Sequence, residues 1–277
     1  MNKFENGPHR RLVMVSYLAV AGPAYSIDRV EACAIRGEID LSRCLSPQDG
    51  DDAAGKAAAA VEPVSGVASR VIVRASLIDK TAGNAPLVRK LLDLLHIQLR
   101  CLAHSVTVRG AVVMDLLHVG PGLEGPYYGP ALSRARELEA NQADLPRIAV
   151  GEEVVRRLGS GQPARVRDGV LRSEMDVIDT LMTMDDAGLH YLDYLKAGLG
   201  DFDYDFDRYT DFLSRHKLFV ESGLADASPG HDPGAYRWLR RYHNARIDDD
   251  ISPADRDTQD DECGRLMQGV LAPLRIG

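Results

Sequence analysis

The stretch RGAVVMDLLHVGPGLEGPYYGPALSRARELE, Arg109 to Glu139, reads as a strand, a turn, a return strand and a helix that opens on Gly-Pro. Proline is tolerated at a first helical position because its missing N–H would find no intrahelical partner there. An ordinary hairpin needs only alternating apolar residues and a turn, yet here an arginine is set into an inward-reading strand. Immediately upstream, Leu87 to His104 places Leu91, Leu94, Leu95, Gln98 and Leu99 at helical spacing, with Arg89, Lys90, Asp93 and Arg100 mostly elsewhere, which predicts a helix packed on a sheet. Downstream, a helix from Ala131 to about Gln142 is followed by the strand PRIAV, Pro146 to Val150. Toward the N-terminus, LVMVSYLAVAG, Leu12 to Gly22, is a β-rich apolar run that suits a central strand buried on both faces. A helix is expected over about Ser26 to Glu38. Residues Ser46 to Gly66 are small and polar and read as a flexible insertion, and Val67 to Asp79 reads as two short runs forming a hairpin about Arg74-Ala75-Ser76. Strands and helices alternating in this way imply an α/β fold with helices against one sheet.

Composition bounds the function. With 277 residues, 45% of them hydrophobic, the chain can bury a substantial core in one large domain or a domain plus an extension. A formal net charge of -8 argues against a general nucleic-acid binder, since phosphate-backbone affinity needs clustered Lys and Arg. No apolar run approaches the roughly 20 residues of a membrane helix, and the opening MNKFENGPHRR leads into a strand without a small-residue cleavage site, so a cytoplasmic protein without a membrane partner is expected. Cys33, Cys44, Cys101 and Cys263 form no C-x-x-C pair and read as reduced thiols.

Three ordered motifs, RG-x4-DLLH, YYGPAL-x3-RELE and LPRIAV, resemble a branch of the bacterial class III nucleotidyl cyclases, where an RGG-type strand, a YH hairpin, an FGPAL-x2-AYELE helix and a YPRI strand follow in that order. Farther on, GLHYLDYL (Gly188 to Leu195), SRHKLFVESGL (Ser214 to Leu224) and AYRWLRRYHN (Ala235 to Asn244) are similar to that branch's C-terminal extension. The branch includes the pyrimidine cyclases of the Pycsar anti-phage systems. The resemblance implies a ferredoxin-like palm over residues 1–172, with 46–66 as a flexible insertion, and a helical C-terminal extension over 173–277. It implies conversion of a pyrimidine nucleoside triphosphate, UTP favoured, to a cyclic mononucleotide read by a cyclic-nucleotide-sensing effector. It also implies a homodimer, because class III sites lie between two subunits.

Such chemistry needs two divalent ions to stabilise the charge that builds as the ribose 3′-oxygen attacks the α-phosphate. Mn²⁺ or Mg²⁺ prefers carboxylate oxygens, and the family supplies two aspartates from neighbouring strands. Aligned on the family pattern, Ala19 stands at the first aspartate position and Ala75 at the second. Neither can hold a metal, so the chain is expected to be inactive. Two accounts compete. Deliberate inactivation of an active parent is favoured by the double replacement with alanine, while a natural non-catalytic pseudocyclase, acting as a nucleotide-binding or dimerisation partner, is the alternative.

The resemblance further assigns a metal-binding carbonyl to Val20, phosphate-binding amides to Val20, Ala21 and Gly22, and a nucleotide-contacting position to Ser76. Arg109 shares its strand face with Thr107 and Ala111; it either contacts the nucleotide or pairs with an Asp or Glu. Ser133 and Glu137 occupy the places where adenylyl cyclases carry a catalytic asparagine and arginine, so the purine-cyclase device is missing, in keeping with a pyrimidine substrate. Arg136 replaces the branch's tyrosine and reads as a solvated helix residue. DFDYDFD, Asp201 to Asp207, imitates the start of an EF-hand, but Phe206 and Phe212 stand where that loop needs glycine and glutamate. His243 and Asn244 read as packing residues of the C-terminal helices, and Asp248 to Asp250 as the start of a surface segment.

Overall fold

The computed structural model describes residues 9–21, 58–63, 70–78, 84–103, 105–119, 128–142, 145–159, 174–201, 205–226, 233–251 and 267–277. These divide into two compact units, the first ending at Asp193 and the second beginning at Tyr194.

In the first unit, β1 (His9–Ala21), β2 (Ala58–Pro63), β3 (Arg70–Leu77), β4 (Thr107–Val119), β5 (Ile148–Val150), β6 (Met182–Met184) and β7 (His190–Leu192) form one sheet of order β2-β3-β1-β4-β5-β7-β6. Strand β5 runs parallel to β4 and every other pairing is antiparallel, which makes the sheet mixed: five strands extended by the β6–β7 hairpin. The helices of this unit are α1 (Ala85–Ala103), α2 (Pro130–Ala140), α3 (Glu152–Leu158) and α4 (Glu174–Leu181). Among the described residues no helix is long and apolar enough to cross a membrane.

Strand β1 is central, as its apolar run predicts. Val13, Met14, Val15, Ser16, Tyr17, Leu18 and Ala19 are all buried, so both of its faces are covered. One face, Val13, Val15, Tyr17 and Ala19, packs with Val113 and Leu117 of β4 against Ala131 and Ala135 of α2. Small residues on α2 let the helix approach the sheet, and Leu132 and Leu138 close its flanks. Helix α1 packs against β4 and buries Leu87, Val88, Leu91, Leu94, Leu95, Ile97 and Leu99, each side chain stabilising the fold by about 1.5–3 kcal/mol.

The two glycines of the opening stretch have separate reasons. A Cβ on Gly110 would lie 2.4 Å from the Tyr17 carbonyl oxygen of the neighbouring strand, so only glycine fits the close approach of β1 to β4. Gly129 has φ 140°, a conformation that disfavours any Cβ, and it sets up Pro130 at the first position of α2. An isolated bridge joins His118 to Tyr128 across the expected hairpin, and the two rings stack with centroids 4.6 Å apart.

Two expectations are corrected. Part of the expected insertion at 46–66 is strand β2, since pairing with β3 gives its alanine-rich backbone the ladder partners that its own side chains do not demand. Val67 to Asp79 holds no hairpin about Arg74-Ala75-Ser76; Arg70–Leu77 is one continuous strand whose hairpin partner is β2. The two compact units divide at Asp193/Tyr194, with β6 and β7 continuing the sheet through β5. The helix expected at 26–38 and Cys33, Cys44 and Cys263 lie outside the described residues, while Cys101 is buried and in no disulfide.

The second unit contains α5 (Tyr194–Asp201), α6 (Phe206–Ala225) and α7 (Gly234–Ile251), then a helical turn over 267–271 and a 3-10 turn, Ala272–Leu274. Asp205 caps α6 by accepting the Arg208 amide at 3.1 Å, so the last residues of the acidic run, Asp205 to Asp207, open a helix. Asp248 to Asp250 belong to the last turns of α7, where Asp250 pairs with Arg246 and Asp248 with Arg275. Asp248 and Asp249 are exposed, in keeping with the surface position expected of this run, and Asp250 is half-buried.

Candidate functional site

The rung of the sheet at Ala19 places four positions in a row across four strands: Glu62 of β2, Val71 of β3, Ala19 of β1 and Arg109 of β4. Ala19 is buried and its cross-strand neighbour is Arg109, so these two predicted site residues do come together. Ala75 does not join them. It pairs with Val15 and with Ala58, four residues along the strand from the Ala19 rung, an offset of about 13 Å at the usual strand rise. Ser76 pairs with Met14, farther still. Two carboxylates on one ion need their oxygens within about 4 Å of each other at oxygen–metal distances near 2 Å. Ala19 and Ala75 therefore stand apart along the ladder, and the position directly paired with Ala19 on β3 is Val71.

Val20 and Ala21 were expected in a phosphate-binding turn. They continue β1 instead, paired with Val108 and Thr107, because the β1–β4 ladder runs two residues beyond the end of the β1–β3 ladder. Gly22 lies outside the described residues. Ser133 is exposed in the first turn of α2, with its hydroxyl 3.4 Å from the Gly129 carbonyl oxygen.

Arg109 takes the second of its two expected roles. Its Nε lies 2.5 Å from Oε1 of Glu139, whose side chain is only 8% exposed. Glu139 follows Ala131 and Ala135 on the buried stripe of α2, and a carboxylate carried into a core requires a cation. That stripe is the signal by which sequence could have found the pair: a glutamate at the spacing of two buried alanines, and an arginine on an inward strand. Nearby, Arg134 bridges Asp115 at 2.9 Å and Glu153 at 3.1 Å, tying α2 to β4 and to α3. Arg136 is an exposed helix residue, as expected, and its guanidinium lies 5.7 Å from the centroid of the Tyr17 ring.

A second polar group secures the β6–β7 edge. Arg147 is buried, bonds Asp185 at 2.7 Å and lies 4.9 Å from the Tyr191 ring centroid. Asp185 also accepts the amides of Ala187 and Leu189 at 3.0 and 2.9 Å. Burial opposes its ionisation, but the Leu189 amide and Arg147 outweigh that and hold the carboxyl below its ordinary range. Burial, reinforced by the Asp193 charge, pushes the Tyr191 phenol up to about 12. Thr183 donates to Asp193 at 2.5 Å. Arg147, Asp185 and Asp193 thus bond one another or their neighbours at this edge, which fits a structural clamp.

The second unit holds a buried chain of rings. Tyr194 Oη lies 2.9 Å from His216 Nε2, His216 Nδ1 lies 3.1 Å from His243 Nδ1, and His243 Nε2 lies 2.9 Å from the Leu274 carbonyl oxygen. Burial depresses His216 well below the usual imidazole value, and burial likewise depresses His243. His243 is thus a packing residue that also bonds. Among the described residues no group of three His, Cys, Asp or Glu side chains could hold a metal ion.

No protein-family model matches the chain, and a search of curated proteins finds no match either. The fold is α/β, with a mixed sheet, packed helices and a group of C-terminal helices.

Proposed function

We propose that the protein is a cyclase-like α/β protein of the pyrimidine branch that does not itself cyclise nucleotides, and that it acts as a nucleotide-binding or dimerisation partner. The strand order β2-β3-β1-β4 agrees with a ferredoxin-like palm and supports the scaffold half of this reading. The observation that carries the catalytic half is the register at Ala19. Its rung reads Glu62, Val71, Ala19, Arg109, and the one acidic position in it is two strands from that of Ala19, about 10 Å across the sheet. The residues that lead into β3, Val64 to Ser69, contain no aspartate or glutamate. With Ala75 displaced along the ladder, the paired loss to alanine no longer argues for deliberate inactivation.

An active parent remains the second reading, supported by Arg109 standing beside Ala19. In that reading Mn²⁺ or Mg²⁺ would be held by aspartate at position 19 and by a second carboxylate nearer than Ala75, UTP would become a cyclic mononucleotide, and an effector would read the product.

The two are separated by incubating the protein with ATP, GTP, CTP and UTP in Mn²⁺ and resolving the products, alongside calorimetric titration with each triphosphate. Binding of a pyrimidine triphosphate without cyclic product is expected. Turnover by this chain would refute the non-catalytic reading, and absence of binding to any triphosphate would refute nucleotide binding altogether.

A further inference from the structure

At the end of the sheet where β1 begins and β4 finishes, three polar side chains stand in a row. Arg10 of β1 is directly opposed to His118 of β4. On its other side His118 bridges to Tyr128 through amide–carbonyl bonds of 2.8 and 3.4 Å. Directly paired residues project to the same face of a sheet with Cβ atoms about 4.5–5.5 Å apart, so the three side chains are neighbours. The His118 and Tyr128 rings stack 4.6 Å apart between centroids and 2° apart between planes. The stack orients both rings before any ligand arrives.

None of the three polar ends is spent inside the protein. Among the described residues Arg10 has no ion pair, and neither the Tyr128 hydroxyl nor the His118 ring has a hydrogen bond. Arg10 is exposed, and Tyr128 keeps 49% of its surface in solvent. His118 Nδ1 is buried without a partner. A buried N–H with no acceptor is rarer than an unused lone pair, so the neutral ring carries its proton on Nε2. Guanidinium, imidazole N–H and phenol O–H then lie side by side as donors.

The surroundings suit an anion. Asp115 lies on the opposite face of β4, where it pairs with Arg134 of α2. The next row inward on the same face is Leu12 opposite Leu116, both half-buried. A phosphate monoester presents three terminal oxygens where a carboxylate presents two, and the arginine fork takes two of them at once, which leaves the third for the ring donors.

We propose that Arg10, His118 and Tyr128 form a phosphate-binding row, occupied by inorganic phosphate or by the phosphate group of a monoester whose organic part lies over Leu12 and Leu116. Arg10 supplies the charge, and His118 and Tyr128 supply donors already fixed by their stack. The row is about 30 Å along β1 from the Ala19 rung, so the inference is independent of the nucleotide reading above.

Calorimetric titration of the full chain with sodium phosphate, phenyl phosphate and sodium acetate, paired with NMR of the imidazole side chains, tests this. Both phosphates should bind and shift the His118 ring signals, and acetate should bind about tenfold more weakly or not at all. Tighter binding of phenyl phosphate identifies a monoester as the ligand, and equal affinities identify the free ion. Arg10→Ala should weaken phosphate binding by about tenfold or more, the worth of one charge-assisted bond, and Tyr128→Phe by about threefold. Both residues are exposed, so both variants should keep the wild-type melting temperature. Absence of phosphate binding, acetate binding as tightly as phosphate, His118 signals unmoved at saturation, or an unchanged affinity in Arg10→Ala would each overturn the row. If Arg10→Ala does not fold, the His118 signals of the wild-type protein and the affinity of Tyr128→Phe decide by the same criteria.

Discussion

A pair of aspartates introduced at positions 19 and 71 should create an Mn²⁺ site, whereas a pair at 19 and 75 should not. Ala19 and Val71 are directly opposed on adjacent antiparallel strands, a geometry that sets Cβ atoms about 4.5–5.5 Å apart. Two carboxylates at that spacing reach ions held 3.5–4 Å apart, the separation of two-metal sites, and the intervening backbone needs no movement. Positions 19 and 75 are offset by about 13 Å along the strands, and two short side chains cannot close that gap onto one ion. Because Ala19 lies in the core, a carboxylate there should lower thermal stability in metal-free buffer. Metal at one hundred times its dissociation constant returns about 2.7 kcal/mol, roughly 5–10 °C in melting temperature for a unit of this size. Thermal unfolding with increasing Mn²⁺ reads this directly. A19D/V71D should rise by that amount, A19D alone by much less, and A19D/A75D no more than A19D. Equal or larger stabilisation of A19D/A75D would show the β1–β3 register to be wrong. Chromatography of UTP after incubation with metal-loaded A19D/V71D then asks whether the clamp suffices for cyclisation.

Arg109→Ala leaves Glu139 in the core without that cation and should cost about 3 kcal/mol in urea unfolding, while R109A/E139A should recover much of the loss, a coupling of the kind double-mutant cycles resolve. Gly223→Ala would drive a Cβ to 2.1 Å from the Tyr236 ring; it should cost about 1–3 kcal/mol and lower the thermal transition reported by Trp238, which stacks on Tyr242. Light scattering at micromolar concentration should give the mass of a homodimer, and a strict monomer would count against dimerisation as a role.

Local signals carried much of the fold. The helical spacing of Leu91, Leu94, Leu95 and Leu99, the uniform apolarity of Val13 to Ala19 and the Gly-Pro before Ala131 each act through nearest neighbours on the chain, so α1, β1 and α2 were legible. β2 was not, because Ala58, Ala59 and Ala60 carry no preference strong enough to announce a strand; its backbone is ordered by β3. The placement of the candidate site residues was hidden at the same level. A motif alignment placed Ala75 by local similarity, whereas the partner of Ala19 is chosen by inter-strand register, a property of two segments over fifty residues apart in the chain.

By itself, then, the sequence determined which segments are amphipathic, where glycine and proline punctuate them, and that positions 19 and 75 bear no carboxylate, since these are properties of side chains and their spacing. Tertiary structure alone decided that Arg109 neutralises Glu139, that Ala19 pairs with Val71, and that His216 and His243 are joined in one hydrogen-bonded chain to Leu274. Each of those facts depends on which strands and helices meet, and that is settled only when burial of the apolar faces fixes register and contact together.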